Sequence, residues 1–182
     1  MTRTSAVLQR PSENSTENNS LNDVVGNKND KSFSDGQENP SLIGHATATY
    51  NHIHSPAQVY PTLADAVTVT GSASAWTLET IVEIIPASTI TELFDIHWIN
   101  ISNISDEDQY EVVLYQGASG SEEEIGRVRF SRSSNFSQEG NVPIQVPPID
   151  ANSRVSAALA SKAGGSESCD FCLYYHTYSD VT

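Results

Sequence analysis

Cys169 and Cys172 stand at the C-x-x-C spacing of a zinc knuckle or a redox pair. The residues around them, Ser168–Tyr178, are β-prone, and side chains three apart on a strand project to opposite faces. With no second C-x-x-C in the chain, the pair reads as core or interface thiols. His52-x-His54 places two imidazoles on one face of an extended segment, with His45 nearby, and on a threefold axis such a pair could ligate a metal. No carboxylate or cysteine stands at a supporting spacing, so no metal is assigned there. His97 and His176 fall on strands and read as hydrogen-bonded packing residues.

Charged side chains give a second set of candidates. Asp106–Asp108 lacks the Gly and the closing Glu of an EF-hand loop, and it reads, like Glu122–Glu124, as a solvated turn. Arg127, Arg129 and Arg132 concentrate positive charge in an acidic chain, and Arg127 and Arg129 share a strand face suited to carboxylate pairing. Two readings stay open for them, cross-strand pairing within the domain and ion pairing between subunits. With His52, His54 and Tyr60 they make up the candidate intersubunit contacts. Ser-His-Asp context, nucleophile elbow and P-loop are all missing from the sequence, so no catalytic residue and no cofactor are assigned and a non-enzyme is expected.

The elements that must position these residues centre on Leu93–Gln116. Two β-prone runs, Leu93–Ile104 and Tyr110–Gln116, flank a polar segment, and the spacing predicts an antiparallel hairpin. In the first run Phe94, Ile96 and Trp98 alternate with Asp95 and His97, which predicts one buried face carrying Trp98. Further strands are expected at Ala46–Tyr50, Ala66–Thr70, Ala75–Ile85, Glu124–Arg132, Val142–Val146, Ser153–Ser161 and Cys169–Tyr178, with a helical turn from Pro61 to Ala66. Along the last strand Cys169, Phe171, Leu173 and Tyr175 form one stripe and Asp170, Cys172, Tyr174 and His176 the other. Val155, Ala157 and Leu159 oppose Ser156, Ala158 and Ala160, small enough for close sheet packing or a subunit interface. Short strands at this spacing predict an all-β, antiparallel β-sandwich of jelly-roll type.

Composition divides the chain. Residues 1–40 hold eight apolar residues against seven Asn and six Ser, too few to offset the entropy of ordering alone. They are expected to form a polar flexible arm, followed by a transition at 41–65 and the sandwich domain at 66–182. Formal charge is −14 over 182 residues. Residues 1–40 carry −2 of it and the rest −12, which repels phosphate backbones and argues against nucleic-acid binding. No signal-peptide pattern or apolar run of membrane-spanning length appears in the sequence, so no membrane partner is expected.

The stretches at 52–76, 94–102, 110–117 with 123–132, and 142–161 with 170–178 resemble small virion structural proteins of tailed bacteriophages. They include HIHSPAQVYPTLADAVTVTGSASAW, FDIHWINIS, YEVVLYQG with EEIGRVRFSR, and VPIQVPPIDANSRVSAALAS with DFCLYYHTY. The resemblance implies a non-enzymatic β-sandwich component of the particle, oligomeric and often trimeric. The leading expectation is a capsid decoration (cement) protein, made in the bacterial cytoplasm and placed on the capsid surface, with the major capsid protein and further copies of itself as partners. The competing expectation is a tail, neck or fibre adaptor, with a carbohydrate-binding face using Trp76, Trp98 or Tyr174.

Overall fold

Period-two patterning after residue 57 becomes paired strands in the computed structural model, which describes residues 56–178 together with Leu42 and Ala46. The strands are β1 (Gln58–Tyr60), β2 (Val67–Thr70), β3 (Val82–Ile85), β4 (Phe94–Ser102), β5 (Gln109–Gln116), β6 (Glu123–Ser133), β7 (Phe136–Ser137), β8 (Gly140–Pro143), β9 (Val155–Ser161) and β10 (Ser168–Thr177). A 3-10 turn at Leu63–Asp65 falls within the helical turn expected there. The expected arm at 1–40 lies outside the described residues. So does 47–50 of the strand expected at Ala46–Tyr50, whose first residue, Ala46, is helical.

Among the described residues all pairing is antiparallel and falls into two sheets. In the first, β10 lies between β4 and the pair β1 and β2, and β4 continues to β8. In the second the order is β3-β9-β5-β6-β7. Taking the principal strands alone, β2-β10-β4-β8 faces β3-β9-β5-β6, the strand order of a jelly roll, so the all-β antiparallel sandwich expected from the sequence is the fold. The paired strands begin at Gln58, inside the expected transition segment, because β1 adds to the edge of β10 through Tyr60 and Leu173. No helix among the described residues is long and apolar enough to cross a membrane.

This topology overturns the hairpin. β4 pairs β10 and β8, whereas β5 pairs β6 and β9, so residues 103–108 cross from one sheet to the other. β4 and β5 belong to opposite layers, and each buries its apolar face against the other sheet. Asn103 starts the crossover in the left-handed region at φ 49°, a conformation Asn tolerates better than most residues. The crossover is held by the Tyr110 hydroxyl, which donates to Asp106 O at 2.8 Å, and by the Arg132 guanidinium, which donates to Ile104 O. The strand expected at Ala75–Ile85 is also shorter, because Trp76 adopts φ 51° and pairing starts only at Val82.

The core sits between the sheets. Ile99, Ile101, Phe171 and Leu173 from one layer meet Tyr110, Val112, Leu114 and Leu159 from the other, all fully buried. Burying one such side chain is worth about 1.5–3 kcal/mol. Phe130 joins the layers, stacking on Tyr110 at 5.1 Å and meeting Phe171 edge-on at 6.3 Å between ring centroids. β9 is central in its sheet, and Ser156, Ala158 and Ala160 are buried within the chain itself. Their small size suits the close sheet packing that is one of the two roles expected from the sequence.

Candidate functional site

The ladder between β4 and β10 contains a bulge. Trp98 pairs Tyr174 and Ile96 pairs Tyr175, which leaves His97 as an extra residue on β4. One extra residue inverts the phase of every later side chain on that strand. Phe94 and Ile96 therefore point into the core before the bulge, and Ile99 and Ile101 after it. Trp98 is turned out, 36% exposed, contrary to the buried face expected from simple alternation. Two isoleucines gain burial where the unbroken pattern would have buried one tryptophan.

The bulge assembles a polar cluster on the outer face. Asp95 lies directly across the ladder from His176, and His97 is two residues along from Asp95. The His97 Nε2 and Asp95 Oδ1 atoms approach to 3.1 Å, and the rings of His97 and His176 lie 4.8 Å apart. One ligand atom from each of Asp95, His97 and His176 falls within 4.8 Å of the others. Asp95 and His176 are buried and His97 is half-buried, so the cluster opens on the His97 side. Trp98 forms one wall, with ring centroids 5.4 Å from His97 and 6.3 Å from His176.

Behind the cluster, the Tyr178 hydroxyl donates to Asp95 Oδ2 at 2.9 Å. Burial, then this hydrogen bond to the carboxylate, raises the phenol well above its ordinary range and keeps it a donor. Chemically, two imidazoles and an oriented carboxylate can take a metal ion or relay a proton. The sequence had assigned His97 and His176 to packing. Asp95-x-His97 was visible as two ligands on one strand face, but His176 joins them only through the β4–β10 register, which spacing along the chain does not encode.

The arginines are engaged within the chain. Arg127 bonds Glu124 through Nε and Nη2 at 2.7 and 2.5 Å, and Glu111 through Nη1 at 3.0 Å, while Arg129 Nε reaches Glu111 at 2.8 Å. The Glu124 bonds, the larger effect, and the Glu111 charge hold the Arg127 guanidinium firmly protonated. Arg129 also covers the Trp76 ring at 4.8 Å from its centroid. Arg132 ties down the 103–108 crossover, and Tyr60 packs half-buried against the core on β1. His52 and His54 lie outside the described residues. Arg154, missed by the sequence reading, joins β3 to the turn before β6 through Glu83 at 2.7 Å and Glu122 at 3.1 Å.

The remaining candidates are structural. Cys169 lies in the core and Cys172 on the opposite side of β10, with its Sγ donating to Thr62 O at 3.5 Å. Burial, with the Asp170 charge adding to it, pushes the Cys169 thiol up to about 12 and raises Cys172 too, which suppresses the reactive thiolate. Asp108 accepts Ala163 N–H through Oδ2 and Arg132 N–H through its carbonyl, so it braces loops. A cleft of about 190 Å³ opens beside Trp76, lined by Gln109, Tyr110, Arg129, Ser131 and Gln138 among others.

No protein-family model matches the chain, and no curated protein matches it. Among solved structures it is similar to the Eiger TNF of S. frugiperda, at 12% identity and a TM-score of 0.30, over 70% of this chain and 98% of that one.

Proposed function

We propose that this protein is a non-enzymatic structural component of a bacteriophage virion, which decorates and stabilises the capsid by bridging capsomers as a homo-oligomer, in the form of a trimer. The observation that carries the reading is a cross-strand row on the outer face of the first sheet. Tyr174, Trp98 and Pro143 are register partners on β10, β4 and β8, with Trp98 and Pro143 exposed and Tyr174 half-exposed. An apolar row with a polar surround is the anatomy of a protein-binding face. The sandwich around it is strongly acidic, which disfavours phosphate-bearing partners and leaves a protein shell as the fitting one. Phage-like residue stretches in the same strands agree with this choice.

Heads lacking decoration, incubated with the full-length protein, test the reading through occupancy per particle. Trp98→Ala and Tyr174→Ala are expected to weaken attachment by at least about tenfold, as for aromatic anchors of an interface, while the melting temperature holds. Unchanged occupancy in both variants would reject the face.

A second reading is a tail, neck or fibre adaptor that binds carbohydrate. It is favoured by the cleft beside Trp76, where amide and hydroxyl groups of Gln109, Gln138 and Ser131 surround a 40% exposed indole. Under this reading a glycan array gives specific binding that Trp76→Ala abolishes without unfolding the protein. An array with no signal removes it.

A further inference from the structure

We propose that Asp95, His97 and His176 form a binding site for one divalent metal ion of the zinc class, held between β4 and β10. Two imidazole nitrogens and a carboxylate oxygen are the donors that borderline divalent ions favour, whereas magnesium and calcium call for more oxygens. Donor distances of about 2.0–2.2 Å place the ligands of a tetrahedral ion about 3.3–3.5 Å apart. Asp95 Oδ1 and His97 Nε2 are already 3.1 Å apart, and the three ligand atoms lie within 4.8 Å of one another.

Three features of the fold build the site. The ladder fixes Asp95 opposite His176, so the ligands come from two hydrogen-bonded strands instead of loops. The extra residue in the bulge sets His97 and Trp98 side by side on the outer face, and bulges recur where a strand must re-aim side chains at a site. Finally, Tyr178 takes up Asp95 Oδ2 at 2.9 Å and leaves Oδ1 toward His97, the orienting contact that ligating carboxylates commonly receive. Bound at this site, the ion clips the last strand of the sandwich to β4 and stabilises the folded chain by mass action.

Full-length protein stripped with a chelator is titrated with zinc chloride by calorimetry, and with cobalt(II), whose visible absorption reports tetrahedral coordination. One equivalent per chain is expected, with a higher melting temperature when zinc is present. Asp95→Asn keeps the size of the side chain and an acceptor for Tyr178, and His97→Gln changes a half-buried position, so both variants are expected to fold, which far-UV circular dichroism checks. Each should weaken zinc by at least about 100-fold, and Tyr178→Phe, which touches no metal, by about tenfold. A His52→Gln, His54→Gln double variant should bind zinc like the parent. Failure of the parent to bind, or parent-like binding by both Asp95→Asn and His97→Gln, overturns the site. Loss of binding in the His52, His54 variant alone overturns it as well. These readouts are independent of particle occupancy, so either proposal can fail without the other.

Discussion

Glu111 is a nearly buried carboxylate pinned between two more exposed guanidiniums, those of Arg127 and Arg129. Removing one arginine leaves the other on the carboxylate, so either single change to alanine is expected to alter stability little, as for most exposed ion pairs. Removing both leaves Glu111 without a guanidinium, and an unpaired buried polar group costs about 1–3 kcal/mol. Urea denaturation of the two single variants and the double should therefore show a loss beyond the sum of the singles. Additive losses would mean that solvent already screens the carboxylate. The shared face of Arg127 and Arg129 was legible from their spacing, but not their partner. Glu111 stands opposite Arg129 only because β5 and β6 pair in that register, with Glu111 matched to Arg129 and Val113 to Arg127.

At the scale of elements, the sequence named most strands and misjudged how they connect. The runs Tyr110–Gln116 and Cys169–Tyr178 lie within a residue of β5 and β10 at each end, because both are β-prone with a regular apolar stripe. Periodicity reports which side of a strand is apolar; it does not say which strand lies alongside. The polar connection after β4 thus looked like a hairpin turn, although it carries the chain between layers. The phase error at Trp98 has the same origin. A bulge is a property of the β4–β10 pair, recognisable along β4 alone only as two apolar stripes out of step, Phe94 and Ile96 against Ile99 and Ile101. That discontinuity was the available sign of the Asp95, His97, His176 cluster. Short pieces such as β1 and β7 carry too few residues for a period to emerge.

For the whole molecule, the core formed by the described residues lies between the two sheets. Buried apolar side chains from Val69 to Tyr175 make one cluster, and the compact unit that contains them spans Ser55–Tyr178. Residues 1–40 have a composition unable to build a core of their own, so under the capsid reading they contribute by binding beside the sandwich, not by stabilising it. Two weak attachments joined by one chain act as a single strong one, because the second contact forms at a high effective concentration once the first is made. Deleting residues 1–40 is accordingly expected to leave the melting temperature within about 2 °C, since a change of 1 kcal/mol would move a domain of this size by roughly 2–8 °C. The same deletion should lower occupancy on decoration-free heads by at least about tenfold, and a Trp98→Ala change on top of it should nearly abolish attachment. If the truncated protein instead fills particles as the parent does, the N-terminal residues take no part in attachment and the sandwich face alone carries it. If it melts well below the parent, those residues belong to the fold, and any fall in occupancy is then a loss of stability.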